Sequence, residues 1–173
     1  MPVFTSFDKA KLEKPPLKLH YLGDRVLRNA AKRIAKVDAS TRTLARELLQ
    51  TMYSSDGIGL AAPQVGIHKQ ILVLDCEPDE PTKPPLVLIN PEIKAFSREV
   101  CTAQEGCLSI PEVYLDVVRP RAIEVVFKDE TGRPQRLRAD GAGHSARTRS
   151  PPRGAVCGSG AEWFSLGGGI EEA

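Results

Sequence analysis

The sequence has few aromatic residues, little excess charge and no long apolar run. Phe, Trp and Tyr make up 5% of the 173 residues, too few for the stacking platforms that bind single-stranded nucleic acids. With 24 basic residues against 22 acidic ones, the chain has no strong field of one sign to attract nucleic acid or a membrane surface. No stretch approaches the roughly 20 apolar residues of a membrane span. We therefore expect neither nucleic acid nor a membrane as a direct partner.

Metal-binding and secretion patterns are also scarce. The four cysteines are Cys76, Cys101, Cys107 and Cys157, and none of them forms a CxxC pair. This usage favours a reducing compartment, and the N-terminus lacks the apolar core of a signal peptide, so we expect a cytoplasmic protein. The three histidines are His20, His68 and His144. They lie too far apart in the chain to place two metal ligands one turn apart on a helix.

Two short stretches carry most of the chemical information. Gly57–Gly66 reads GIGLAAPQVG, where small residues let the backbone approach a ligand or a strand closely and Gln64 is the only polar side chain. Glu105–Pro111 reads EGCLSIP and places Cys107 beside one acid and one hydroxyl. Taken singly, the first stretch also fits a tight loop and the second a buried core thiol.

Together, the two stretches resemble the first two signature motifs of the peptide deformylase family, GIGLAAPQ and EGCLS. The resemblance extends from about Leu17 to Asp140. It implies an enzyme that removes the N-formyl group from the initiator methionine of nascent polypeptides. The implied cofactor is a divalent metal, usually Fe²⁺, with Zn²⁺ or Ni²⁺ as substitutes. The implied partners are N-formylmethionyl peptides at the ribosome, and the implied state is a monomer.

The resemblance also assigns roles to single residues. Cys107 would be a metal ligand, while the Gln64 amide and the backbone N–H of Leu108 would stabilise the oxyanion. Other positions would contact the substrate: Gly57, Gly59 and Glu105. Glu105 would also tie its loop through hydrogen bonds. In the family, the metal activates a water molecule, and the glutamate of a third motif, HExxH, takes the proton from that water.

The third motif, which would lie on a helix after Gly141, does not occur in this sequence. Instead, residues 141–173 contain eight of the 14 glycines, and Pro151 and Pro152 stand where the helix should run. Such a composition predicts a missing or disordered helix. We therefore expect two histidine ligands and the general base to be absent, and the chain to be impaired or inactive as a deformylase.

The C-terminal segment is compatible with a shifted reading frame. If Arg147–Ser150 is encoded CGC ACG AGG TCA, reading from the third base gives His-Glu-Val. With suitable codons for Ser150–Ser159, the other shifted frame gives His-His-Leu-Ala-Gly-Leu-Phe-Val-Asp. An insertion or deletion between these frames would join the two readings into a stretch of the HExxH type, similar to HEVDHL, followed by AGLFVD. Our hypothesis is that this segment is a frame-shifted version of the HExxH helix, which sequencing the gene across this region would test.

Two hypotheses from other functional classes stay open. The chain is either a non-catalytic deformylase-like protein that still binds peptides, or a metal-free hydrolase in which Cys107 is the nucleophile. The second hypothesis requires a base within hydrogen-bond reach of the thiol. Metal content, together with hydrolysis of a formyl-methionyl peptide in the presence of a chelator, distinguishes these hypotheses from a metal-dependent deformylase.

The patterns predict an α+β fold with one N-terminal helix and short strands in mixed or antiparallel sheets. Apolar residues at three- and four-residue spacing predict a helix that begins after Asp38 or Ser40 and ends near Tyr53. Short apolar or alternating runs predict strands at Gln70–Asp75, Leu86–Asn90, Ile93–Phe96, Tyr114–Val118, Ala122–Lys128 and Gln135–Ala139. For the domains we predict a mobile arm at 1–16, a deformylase-like domain at 17–140 and an aberrant, disordered tail at 141–173.

Overall fold

A computed structural model describes residues 7–80 and 82–140 of the chain. Within these residues there is one α-helix, α1 (Ala39–Ser54), and two short 3₁₀ helices, Arg25–Arg28 and Ala62–Val65. The strands are β1 (Gly59–Ala61), β2 (Ile71–Leu74), β3 (Leu86–Phe96), β4 (Val100–Cys107), β5 (Ile110–Pro120), β6 (Ala122–Lys128) and β7 (Pro134–Asp140). The α+β class with a single helix before the strands is confirmed. The missing HExxH helix concerns residues outside the described part.

The helix begins and ends where its sequence predicts. The Asp38 side chain accepts a hydrogen bond from the backbone N–H of Thr41 at 2.9 Å, so that it caps the first turn. Hydrogen bonds from Ser40 and then Thr41 lower the pKa of this carboxyl group to about 2. The predicted apolar stripe is buried: Leu44, Leu48, Leu49, Met52 and Tyr53. These side chains pack the helix against the sheet.

Five strands form an antiparallel sheet in the order β1-β2-β3-β6-β7, while β4 and β5 form a separate two-stranded hairpin. Alternation along β2 sends Ile71 and Val73 to the face covered by α1. Leu72 and Leu88, paired across β2 and β3, point to the opposite face. A second apolar cluster lies there with residues from β6: Ile123, Val125 and Phe127. The sheet therefore has two apolar faces.

The prediction of two strands on either side of Asn90 and Pro91 is wrong, because β3 runs through both residues. Asn90 takes a left-handed backbone conformation with φ of 51°. Its side chain accepts from the Ile34 N–H and donates to the Ile34 carbonyl, both at 2.8 Å. These bonds hold an irregular step in the register between Ile89 and Glu92. A β-bulge at this step accommodates Pro91 within the strand. The residue pattern alone does not predict this bulge.

The two motif stretches also contain more regular structure than the sequence suggests. Gly59–Ala61 forms strand β1 and pairs with β2, and Glu105, Gly106 and Cys107 end strand β4. Strand β5 is longer than its predicted core because it begins at Ile110. Main-chain pairing with a neighbour, which depends on tertiary contacts, creates these strands from glycine-rich sequence.

Residues 7–17 lie along the C-terminal half of α1. The Phe7 ring stacks on Tyr53 with 6.0 Å between ring centroids, and Lys9 Nζ is 2.8 Å from Asp75 Oδ2. The Leu17 N–H donates to Thr51 Oγ1 at 3.2 Å. The boundaries of the predicted arm and tail stay predictions. Among the described helices, none combines the length and apolarity needed to cross a bilayer.

Candidate active site

A cleft opens between the turn that follows α1 and the tip of the β4–β5 hairpin. Its volume is about 530 Å³. One wall comes from 55–59 and the other from 106–108 and 110–114, with Leu19 and Tyr21 at one side. Both motif stretches identified in the sequence therefore meet in one cavity, although other strands separate them in the chain.

Gln64 lies fully buried beside this cleft on the 3₁₀ helix that follows β1. Its Oε1 accepts from the Ala61 N–H at 2.9 Å. Its Nε2 donates to Ser109 Oγ at 3.1 Å and to Cys107 Sγ at 3.6 Å. The next turn closes on Gly66, whose φ of 77° favours glycine. Every polar atom of the Gln64 amide is therefore engaged inside the protein.

Cys107 is the last residue of β4, and only Leu108 and Ser109 separate it from β5. The register shifts between Gly106 and Cys107, so the hairpin tip bulges where the thiol lies. Gly106 is needed at this point because a Cβ atom there would lie 2.7 Å from the Tyr114 ring. Cys107 is half-buried and is not part of a disulfide.

The segment before the first 3₁₀ helix joins the two motifs through the main chain. The His20 N–H donates to the Gln64 carbonyl, and the Leu22 N–H donates to the Ser109 carbonyl, both at 2.8 Å. Because these donors are two residues apart on one extended stretch, they hold the Gln64 and Ser109 backbones at a fixed separation. The relative placement of amide and thiol therefore depends on three segments of the chain.

The two predicted substrate-binding glycines lie in the cleft wall. Gly57 continues from α1, where its N–H donates to the Met52 carbonyl at 2.9 Å. A Cβ atom at Gly57 would lie 2.5 Å from Leu108 Cδ1, so a larger residue here would force the Leu108 side chain to shift. Gly59 begins β1 and pairs with Leu74. The structure brings Gly57, Gly59 and Leu108 together as the sequence predicts, while their roles toward a substrate stay predictions.

Glu105 is not one of the residues that line the cleft. It is buried beneath the hairpin, and its carboxylate accepts from Arg119 Nε at 3.3 Å and Nη2 at 3.2 Å. Such two-point pairing has the geometry that guanidinium groups prefer. The bonds join β4 to β5 two residues before Cys107. The predicted structural role, tying the loop through hydrogen bonds, agrees with this geometry, and contact with substrate stays a prediction.

The described residues do not complete a catalytic metal site around Cys107. Among the described residues, 7–80 and 82–140, no three His, Cys, Asp or Glu side chains form a group that could hold a metal ion. His20 Nδ1 lies 2.9 Å from Asp24 Oδ2, and His68 Nε2 lies 3.0 Å from the Val26 carbonyl oxygen. A catalytic zinc or iron site needs about three protein ligands, and these residues do not supply them.

Two residues of the site are not among those predicted from the sequence, namely Ser109 and Arg119. Ser109 stands inside the EGCLS stretch, and its hydroxyl beside the cysteine was a usable signal. Arg119 lies 14 residues beyond Glu105 in the chain. Nothing in the local pattern connects this arginine with the acid, because the contact exists only after β4 and β5 pair.

Several known proteins are similar to this chain in sequence. The family model described as Polypeptide deformylase matches residues 16–147. Peptide deformylase 1 of Nostoc sp. is 69% identical over 139 residues, which are 80% of this chain and 74% of the relative. Peptide deformylase of Synechocystis sp. is 67% identical over 129 residues, which are 75% of this chain and 69% of the relative.

Solved structures show the same similarity. A peptide deformylase from Synechococcus elongatus in complex with actinonin superposes with a TM-score of 0.77 at 61% identity, covering 79% of this chain and 74% of that one. The Thermotoga maritima peptide deformylase superposes with a TM-score of 0.67 at 36% identity, covering 72% and 82%. The fold and the cleft thus define an α+β domain of the hydrolase class. The chain belongs to the peptide deformylase family.

Proposed function

We propose that the cleft binds the formylated N-terminus of a nascent peptide, as the activity of the family requires. The observation that supports this most directly is the 3.6 Å contact between Gln64 Nε2 and Cys107 Sγ at the edge of a cavity of about 530 Å³. A cavity of this size suits a small ligand such as a peptide terminus.

In this proposal, two N–H groups act on the formyl oxygen. When a nucleophile attacks the formyl carbon, the oxygen becomes negative and is stabilised by donors that already point at it. The Gln64 amide is held rigidly by Ala61 and Ser109. The backbone N–H of Leu108 follows Cys107 directly and would be the second donor. In this role the Gln64 N–H that contacts the Cys107 sulfur, the weaker of its two acceptors, would donate to the substrate oxygen instead.

We propose further that this chain is impaired as a deformylase. The family reaction uses a divalent metal, with Fe²⁺ as our expected ion. Cys107 is the ligand that the family resemblance implies, the described residues contain no group of three possible ligands, and the sequence has no HExxH. Peptide binding depends on the described cleft, whereas turnover depends on ligands and a base that this sequence lacks.

The metal-free cysteine hydrolase is the less supported alternative. Such an enzyme requires a base beside its nucleophile. His20 bonds to Asp24, and His68 bonds to the Val26 carbonyl, so both imidazoles are placed for other contacts. The hypothesis of a non-catalytic peptide binder agrees better with the described cleft. It differs from our proposal only in how much deformylase activity the chain retains.

The test compares two proteins. The first is the full chain. The second, called the restored chain, is identical up to Arg147, and its gene is read from there in the shifted frames that yield HExxH. Both proteins are purified anaerobically with Fe²⁺ and assayed for metal content, formyl-peptide binding and formate release. We expect both to bind a formyl-methionyl peptide, and only the restored chain to hold one equivalent of metal and release formate. Cys107→Ser in the restored chain is the control, which should lose metal.

Two results would contradict the proposal in different ways. Stoichiometric metal and full activity in the unrestored chain would show that it is not impaired. Failure of both proteins to bind the peptide would remove the cleft assignment. Formate release that survives a chelator and is abolished by Cys107→Ser would favour the metal-free cysteine hydrolase instead.

A further inference from the structure

The Gln64 side chain is oriented by a donor that cannot reverse its role. A backbone N–H only donates, so the 2.9 Å contact with the Ala61 N–H identifies the facing atom of the amide as its oxygen. The NH₂ group consequently points the other way, toward Ser109 and Cys107. A flipped amide would set two donors against each other at Ala61. The structure therefore establishes which end of the amide faces Ser109 and Cys107, the second of which lines the cleft.

Ser109 determines the plane in which that NH₂ group lies. Its hydroxyl oxygen is 3.1 Å from Gln64 Nε2, whereas the weaker acceptor, the Cys107 sulfur, is 3.6 Å away. The two hydrogens of an amide diverge in one plane. When one hydrogen points at Ser109 Oγ, the direction of the other is fixed on the side of the thiol and the cleft.

Ser109 is itself held in place. It is buried, with 4% of its surface exposed, and its carbonyl oxygen accepts from the Leu22 N–H at 2.8 Å. Gln64 is 0% exposed, so no solvent replaces a lost partner of its amide. A buried donor without an acceptor is costly, and the amide would rotate to recover one. Removing the Ser109 hydroxyl is therefore expected to release the amide from its present plane.

We propose that Ser109 is a positioning residue, which aims the second N–H of Gln64, the one on the side of the Cys107 sulfur, at the site of the substrate oxygen. This inference rests on the proposed role of Gln64 as a donor to the formyl group. It is carried by the hydroxyl–amide bond, by the burial of both side chains and by the opposing bond to Ala61. Ser109 touches neither the substrate nor the reacting atoms in this role.

The test uses the full chain as it exists, with Ser109→Ala, Ser109→Thr and the control Thr51→Val. Thr51 is a buried hydroxyl that accepts from the Leu17 N–H, so Thr51→Val removes a comparable bond away from the site. The first readout is the pair of side-chain NH₂ signals of Gln64 in ¹H–¹⁵N spectra, assigned through Gln64→Glu. Far-UV circular dichroism and thermal unfolding confirm that each variant is folded.

We expect Ser109→Ala to shift the Gln64 signals and to accelerate their exchange with water by about tenfold, the factor expected for one lost hydrogen bond. Ser109→Thr keeps the hydroxyl and should retain signals close to those of the parent. Thr51→Val should lower the unfolding temperature and leave the Gln64 signals in place. Unchanged Gln64 signals in folded Ser109→Ala would overturn the inference, as would an equal change in Thr51→Val.

The second readout is binding of a formyl-methionyl peptide, which separates this inference from the proposed function. If both are right, Ser109→Ala weakens peptide binding by about tenfold and Ser109→Thr restores most of it. Suppose that the parent protein binds no peptide while Ser109→Ala changes the Gln64 signals as described above. In that case the positioning of the amide stands and the proposed function fails. If the parent binds the peptide and Ser109→Ala binds it equally tightly, the positioning role is refuted.

Discussion

Gln64 and Cys107 are 43 residues apart in the chain, yet the amide nitrogen of one lies 3.6 Å from the sulfur of the other. The contact forms because β1 and the 3₁₀ helix after it bring Gln64 under the tip of the β4–β5 hairpin. A thiol on the opposite side of the sheet from the amide would have removed the reason to read the two motifs as one site.

Gly57→Ala is expected to destabilise the protein through Leu108. The new methyl group would lie 2.5 Å from Leu108 Cδ1, and overpacking of this kind costs about 1–3 kcal/mol. Leu108→Ala in the same chain removes the clash. Urea unfolding of the parent, both single variants and the double variant should therefore give a coupling of about 1 kcal/mol, with the double variant more stable than the sum of the two changes predicts. Additive changes would show that the two residues do not press on each other.

Lys9→Met is expected to cost about 3 kcal/mol of unfolding free energy, as for a buried ion pair that loses one partner. Lys9 Nζ lies 2.8 Å from Asp75 Oδ2, and only 3% of the Asp75 side chain is exposed. Lys11→Met is the matched control, because Lys11 pairs with Asp56 at the surface. Exposed pairs contribute about 0–1 kcal/mol. Urea unfolding measures the free energy of unfolding of both variants. Similar losses in both would contradict the distinction between the buried Lys9–Asp75 pair and the exposed Lys11–Asp56 pair.

Stability is expected to fall above pH 10 because of Tyr53. Burial, and then the 2.6 Å hydrogen bond to Asp75, raises the pKa of the Tyr53 hydroxyl above its ordinary value of 10.0. A raised pKa means that the folded state favours the protonated phenol. Its contribution is therefore fully present below pH 10 and lost as the pH rises further. Unfolding curves from pH 8 to 11.5 should show a smaller decline in Tyr53→Phe, whereas parallel declines would refute the assignment.

Metal removal is expected to leave the unfolding temperature of this chain unchanged. The stability that a bound ion adds to a protein grows with the logarithm of its affinity for the folded state, and the described residues offer no group of three ligands. The restored chain, with HExxH, should lose stability when EDTA is added and regain it with Fe²⁺ or Zn²⁺. Differential scanning fluorimetry with and without chelator measures both proteins. If EDTA lowers the unfolding temperature of the unrestored chain, that chain has metal ligands that its sequence does not suggest.

Much of the regular structure was predictable because it depends on local patterns. The stripe from Leu44 to Tyr53 defines α1, and Asp38 begins the helix by accepting from the Thr41 N–H. The alternating strand Ala122–Lys128 has the predicted bounds. The course of β3 through Asn90 was not predictable, since the bonds that hold this bulge come from Ile34, 56 residues away.

The sequence by itself determined the family and the chemistry that is possible. The order of small residues in GIGLAAPQ and the thiol of EGCLS are covalent facts, as is the lack of HExxH, and no folding changes them. The tertiary structure alone decided how those groups act together. It turned the NH₂ of Gln64 toward the thiol, gave that amide Ser109 as an acceptor and paired Glu105 with Arg119. These contacts join strands and turns that are distant in the chain, so they exist only once packing and main-chain pairing bring the segments together.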